Sequence, residues 1–369
     1  MCESTNNNSN QEEPINKDML DLYSDYLISS FSYATATGMS GMLDNSISHD
    51  KITRFLSERE YTSKDLWQTV KPAIRKIETE DGVVVFDDTI VEKEYTDEND
   101  IVAWHYDHSK GRSVKGINIL SGIYHNKNQS VPVSFEVVKK TEKYLDPESG
   151  KQKRKSSKNK NEYFREIFLV CVKNLIKFKY SLADIWFSSK ENMQCVVDNN
   201  KHFIFAIKGN RLVAISKNNK LKGKFKSIES LKLKENTIME CYLKGLDFPV
   251  LLAKQVFTNK DGSTGILYLV TSDTSLNAAK INAIYQKRWK VEEYHKSIKS
   301  NTGLAKSPTK TVITQNNHFF ASIYAYFKLE LLHQSTNLNH FALKSKLYVK
   351  ALSISYNELQ NLKEKYLVA

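Results

Sequence analysis

Four consecutive apolar residues, Val83, Val84, Val85 and Phe86, follow Gly82 and stop at two acids, Asp87 and Asp88. A run this short that is apolar at every position marks a strand buried on both faces, because a strand with one wet face would alternate. Strand-like runs follow at Ile117–Tyr124 and Val131–Val138, and the turn-prone stretch His125–Ser130 between them makes an antiparallel pair. Three early strands therefore form one sheet, and the first of them ends on carboxylates.

The chain then alternates. A helical stretch over Glu162–Phe178 leads to Tyr180–Phe187, which contains Asp184, and to an apolar strand at Phe203–Ile207. Val250–Val256 and Thr264–Val270 around the turn Asn259–Gly262 predict a hairpin, approached through the basic segment Lys217–Lys234. Helix returns over Leu276–Ser300 and continues through the apolar run Phe319–Leu332 to Leu367. At the other end, Met19–Glu80 has helical spacing at Leu20, Tyr23, Leu27 and Phe31, then at Ile52, Phe55 and Leu56, with N-caps at Ser48 and at Thr62 or Ser63. Two short helices there, Ser48–Arg59 and Ser63–Ile77, have two readings: a helix-turn-helix that enters DNA, or an ordinary packed pair. Pro72 removes one backbone donor from the second. The basic stretch Gly150–Asn161 is expected to be an exposed loop, and the polar start Met1–Lys17 a disordered tail.

With 369 residues and 40% hydrophobic composition the chain can bury a sizeable core. No stretch approaches the roughly 18 apolar residues of a membrane span, and the N-terminus lacks the basic start and apolar run of a secretion signal. Cys2, Cys171, Cys195 and Cys241 are far apart, with no CxxC pair or zinc-like spacing, which fits a reducing cytoplasm. The formal net charge of +12 favours a polyanionic partner through phosphate neutralisation.

On a continuous helix at about 100° per residue, Tyr285, Arg288, Glu292, His295 and Lys299 share one face within about 80°. Ala283, Ile284, Val291, Tyr294 and Ile298 occupy the adjoining face. Taken locally, Arg288 and Glu292 make an ordinary i,i+4 ion pair of about 0.3 kcal/mol. The spacing Y-x2-R-x3-E-x6-K, met by Tyr285, Arg288, Glu292 and Lys299, resembles the YREK signature of bacterial insertion-sequence DDE transposases.

That resemblance implies an α/β fold with a ribonuclease-H-like mixed sheet, flanking helices and a β-rich insertion before the last catalytic residue. It makes Glu292 the third metal-binding carboxylate. The first falls at Asp87, with Asp88 as the alternative, and the second at Asp184, with Asp198 as the alternative. Tyr285, Arg288 and Lys299 become DNA contacts. Apart from the resemblance, the basic turn Lys208–Arg211 after an apolar strand has two readings: Lys208 and Arg211 meet a phosphate backbone, or the turn is a basic hairpin tip. Two Mg2+ ions, replaceable by Mn2+, are the implied cofactors, since hard cations take carboxylate oxygens. The implied partners are double-stranded DNA, as terminal inverted repeats and as target, and a second copy in a DNA-bound homodimer. Domain boundaries are expected at 1–17 for the tail, 18–80 for a helical DNA-binding region, and 81–200 for the first part of the catalytic domain. The β-rich insertion is expected at 201–275, a closing helix at 276–303 and a helical C-terminal region at 304–369. Two other readings remain open: a transposase-derived DNA-binding protein without catalysis, and a metal-dependent nuclease on the same core. His295 shares the helix face without belonging to the signature, and His105 and His108 are read as a chance pair in a polar connection.

Overall fold

The computed structural model of the protein describes residues 15–108, 110–258 and 261–367. The expected tail lies outside these residues up to residue 14, and the remainder of it leads into helix: Asn16 accepts from the Met19 amide at 3.1 Å and caps α1 (Lys17–Ser29). Next come α2 (Ala36–Met42), α3 (His49–Ser57) and α4 (Ser63–Ile77). Ser48 caps α3, and the Asp65 carboxylate takes the Thr62 amide at 2.8 Å while Arg59 grips it from outside. Capping of this kind satisfies donors that a helix start leaves open.

The central strands are β1 (Val83–Glu92), β2 (Ala103–Asp107), β3 (Arg112–Asn126) and β4 (Gln129–Val137). β3 and β4 meet at Lys127 and Asn128, both at positive φ, the conformation that suits a two-residue hairpin turn. A small hairpin of β5 (Glu142–Leu145) and β6 (Gln152–Lys155) precedes α5 (Lys160–Lys173), β7 (Tyr180–Ala183), α6 (Lys190–Asp198) and β8 (His202–Ile207). In space the core runs β4-β3-β1-β7-β8: β3 is antiparallel to both β4 and β1, and β7 and β8 run parallel to β1. Parallel neighbours need a crossover, and α5 and α6 provide it. This is the ribonuclease-H-like mixed sheet that the resemblance implied.

Beyond β8 the same sheet continues. β9 (Leu212–Ala214), α7 (Lys217–Leu221), β10 (Lys226–Ser227), β11 (Ile238–Leu243), β12 (Val250–Thr258) and β13 (Thr264–Thr271) follow in sequence, and β13 pairs with β8. Eleven strands thus form one sheet, in the order β10-β9-β11-β12-β13-β8-β7-β1-β3-β2 with β4 also on β3. The residues expected to form a β-rich insertion, 201–275, therefore include β8, a core strand, and otherwise lengthen the core sheet. The chain closes with α8 (Ala278–Gln286), α9 (Trp289–Asn301), α10 (Val312–Thr336) and α11 (His340–Leu367). Among the described residues no helix is long and apolar enough to cross a membrane.

Both faces of β1 are covered. Phe86 meets Phe164 and Phe168 of α5 with ring centroids at 4.9 and 6.2 Å. On the opposite face α9 lies against β1 through the fully buried Val291, Tyr294 and Ile298. α4 lies on β4, where Ser63 Oγ accepts from the Phe135 amide at 2.8 Å, and α10 also packs on β4. The pair α3 and α4 therefore turns its apolar sides inward, as a packed pair does, and leaves Lys71 and Lys76 on the outside.

Four expectations need correction. β1 runs past Asp87 to Glu92, because β3 continues to pair with it, so the acids sit within the strand. The stretch expected as an exposed loop at Gly150–Asn161 contains β6 and the first turn of α5, since β5 supplies β6 with a partner. His105 lies in β2 and is buried, not in a polar connection. The helix expected over Leu276–Ser300 is two helices, for reasons that bear on the site.

Candidate active site

The parallel register of β1 and β7 sets Val85 opposite Leu182 and Phe86 opposite Ala183. One step further, Asp87 and Asp184 leave the paired segment side by side. β7 stops there because the Asp184 carboxylate accepts from the Trp186 amide at 2.9 Å, starting a 3-10 turn over Ile185–Phe187. The first two expected carboxylates thus stand side by side on neighbouring central strands without sharing any sequence neighbourhood.

Consecutive residues of a strand point to opposite faces, which separates Asp87 from Asp88. Asp88 turns toward α5, where its carboxylate accepts from Lys160 Nζ at 2.7 Å and Asn118 Nδ2 at 2.8 Å. Asp87 turns toward α9, and Asp87, Glu292 and His295 bring one ligand atom each to within 4.8 Å of one another. Asp198, the alternative second acid, ends α6 and bonds Gln194. Asp87, Asp88, Asp184, Glu292, His295 and Lys299 line one cleft of about 420 Å³.

Glu292 reaches this cleft because the helix before it tightens. The Arg288 amide bonds the Tyr285 carbonyl at 2.8 Å and the Val291 amide bonds the Arg288 carbonyl at 3.1 Å, both i to i+3, so one 3-10 turn separates α8 from α9. Glu292 lines the cleft, and Tyr285 does not. Tyr285 is 7% exposed, with its hydroxyl 3.4 Å from the Ala183 carbonyl, so it braces the strand end that carries Asp184. Arg288 sits 3.2 Å from Glu292 and is largely buried, and its Nε has no hydrogen-bond partner among the described residues. Glu292 itself lies in the first turn of α9, where the helix N-terminus favours a carboxylate.

Charge is concentrated here. Burial, then the carboxylates of Asp184, Asp88 and Glu292, hold the Asp87 carboxyl well above its ordinary range, against the pull of Arg288. Burial raises Asp184 too, and Asp88 adds to it, while the Trp186 amide and Arg288 act in the opposite sense. Burial, followed by the cations Lys299 and Arg288, pushes His295 down to about 3, so its ring is neutral. Burial also lowers Lys299. Asp87, Glu292 and the neutral His295 imidazole form a donor set that suits a divalent cation, and burial beside other carboxylates, which raises Asp87, is what such a cation offsets.

The remaining expected residues lie around the rim. Lys208 is exposed, with its ammonium 4.8 Å from the Trp186 ring centre. Arg211 turns inward and donates to the Ser188 carbonyl at 3.0 Å, tying the turn after β8 to the segment that follows Asp184. His108 stacks on Trp186 at 3.9 Å, with Tyr106 edge-on to it at 4.8 Å. This aromatic column escaped sequence reasoning, because Tyr106, His108 and Trp186 come together only when β2 and β7 share a sheet. Lys160 escaped as well; its place in a basic run showed charge without an acid to meet.

A family model described as DDE superfamily endonuclease matches residues 14–223, more than half of the chain. The chain belongs to the DDE superfamily. A second model, described as a transposase DDE domain, matches residues 146–328. The first match contains Asp87 and Asp184, and the second contains Asp184 and Glu292. No curated protein matches the chain. For this DDE protein a transposase or endonuclease role follows at the level of the superfamily.

Proposed function

We propose that this DDE protein is a DNA transposase of the YREK branch, which binds the terminal inverted repeats of its element and carries out strand cleavage and strand transfer. The observation that carries this reading is the convergence of Asp87, Asp184 and Glu292 in one cleft, from within β1, from the end of the neighbouring β7 and from α9. Asp87, Asp184 and Glu292 would hold two Mg2+ ions, or Mn2+ in their place. Bound there, the ions supply charge stabilisation for the attacking and leaving oxygens of a phosphodiester.

Each step balances without further cofactors. Cleavage adds water across a P–O3′ bond and leaves a 3′ hydroxyl. Transfer exchanges one P–O bond for another, with that hydroxyl as nucleophile. Arg288, held beside Glu292, keeps a fixed positive charge next to the carboxylates, while Lys299 on the cleft wall and the exposed Lys208 over Trp186 are the cations offered to a phosphate. Tyr285 acts behind the cleft by fixing the Ala183 carbonyl. Two copies would pair on DNA. On α11, Tyr348, Leu352, Leu359, Leu362 and Tyr366 recur at three- and four-residue spacings or their sum, and all are exposed, a stripe suited to a matching helix.

The test uses duplexes carrying the element's ends, with Mg2+ or Mn2+. Joined products are expected, whereas cleavage alone favours an endonuclease, the activity in the description of the longer family match. Asp87→Asn, Asp184→Asn and Glu292→Gln should each lower cleavage at least about a hundredfold while end binding in gel shifts is retained. Cleavage at the parental rate by any one of them removes that residue from the site.

A further inference from the structure

His295 stands one turn along α9 from Glu292, at the floor of the carboxylate cleft. It is 6% exposed, and its Nε2 is shut off from solvent without a hydrogen-bond partner among the described residues. A buried imidazole nitrogen left in this state costs about 1–3 kcal/mol of desolvation unless something else takes it up. The imidazole presents a ring nitrogen within 4.8 Å of carboxylate oxygens from both Asp87 and Glu292. Lys160, Lys296 and Lys299 on the cleft wall have no lone pair to give when charged, and His108 is stacked on Trp186, so His295 is the imidazole grouped with the Asp87 and Glu292 oxygens.

We propose that His295 is a nitrogen ligand to one of the divalent ions held by this cleft, and that it biases that position toward Mn2+ over Mg2+. The inference rests on the metal-dependent reading given above. The physical reason is ligand softness: magnesium prefers an all-oxygen shell and gives up its waters reluctantly, whereas Mn2+ and its heavier neighbours accept imidazole. Two carboxylates and one imidazole also leave positions open for water and for a phosphate oxygen. The same nitrogen could instead donate to a carboxylate and merely orient it, and the experiment separates these roles.

The full-length protein is loaded with Mn2+ alone, and electron spin-echo envelope modulation is recorded for the parent, His295→Gln and Asp87→Asn. Direct nitrogen coupling to Mn2+ in the parent, lost in His295→Gln while Mn2+ still binds, is the expected result. Competition titration should show the preference for Mn2+ over Mg2+ falling roughly tenfold in His295→Gln. Bound Mn2+ without nitrogen coupling, or coupling that persists in His295→Gln, overturns the inference and leaves the metal site standing. If the parent binds no Mn2+ and Asp87→Asn behaves identically, the metal-dependent reading falls as well. Circular dichroism melting of each variant confirms that a lost signal reports ligation and not unfolding.

Discussion

Asp87 and Asp88 differ by one step along a strand, and that step decides what each can do. Asp88 faces α5 and is taken by Lys160 and Asn118, while Asp87 faces α9 and meets other acids. Sequence order alone leaves the two exchangeable, because alternation about a strand assigns opposite faces without saying what covers each. A second residue shows the same dependence on cover. Burial, followed by repulsion from Glu166, pushes Glu136 in β4 up to about 7. The folded protein therefore holds a proton at Glu136 that the unfolded chain releases between about pH 4.5 and 7. Through this group stability is greatest below that window, falls as pH rises across it, and is flat above it. Glu136→Gln should be more stable than the parent at pH 8, by roughly 1–3 kcal/mol, with the gap closing toward pH 4.5. Urea titrations at the two pH values measure it, and an equal gap at both would remove Glu136 as the source.

At the scale of elements, the site depends on how β1 is held beyond Asp87. Gly116 in β3 pairs with Glu92, and a Cβ at Gly116 would stand 2.4 Å from the Val91 carbonyl oxygen, which is backbone and cannot swing away. Gly116→Ala should push β1 and β3 apart there and cost about 1–3 kcal/mol. Gly41 in α2 is the control, since a Cβ there meets nothing within 4 Å and Gly41→Ala should be neutral or stabilising by up to about 1 kcal/mol. Equal melting temperatures for the two variants would contradict this account. The 3-10 turn between α8 and α9 is the other decisive local feature. The four residues of the YREK spacing are legible in the sequence, but in the protein Glu292 and Lys299 line the cleft while Tyr285 and Arg288 do not. Tyr285 ends up behind the cleft as a brace, and His295, outside the signature, ends up beside Asp87.

For the whole molecule, one sheet carries both the core and the strands after β8, so the cleft sits on a continuous platform. α11 departs from it: His340 is its one buried residue, tied to Ser297 and Glu330, and Lys344 donates to carbonyls at the end of α1. Beyond that anchor the apolar stripe is exposed, and the dimer proposed above would use it. A triple variant, Leu352→Lys, Leu359→Lys and Leu362→Lys, should keep its melting temperature within a few degrees, because the three residues are about half exposed. Analytical ultracentrifugation with end-bearing DNA should then find one protein copy per complex in place of two. A variant that still pairs at parental affinity would move the interface elsewhere.

Much of the fold was open to sequence reasoning: the doubly buried strand at Val83–Phe86, the β3–β4 pair, the β12–β13 hairpin and the helical ends all follow from short-range apolar pattern and turn chemistry. So was the list of acids, because spacing along the chain is a one-dimensional property. What the tertiary structure decided is which of these groups meet. Register between β1 and β7 brings Asp87 beside Asp184, side-chain alternation turns Asp88 to Lys160 and Asn118 on the cleft wall, and one 3-10 turn leads into α9, which offers Glu292 and His295. The first depends on pairing between segments roughly a hundred residues apart, and the other two matter only once the elements that cover them have packed. Local pattern does not encode such distances, and electrostatics at the cleft exists only once they have been closed.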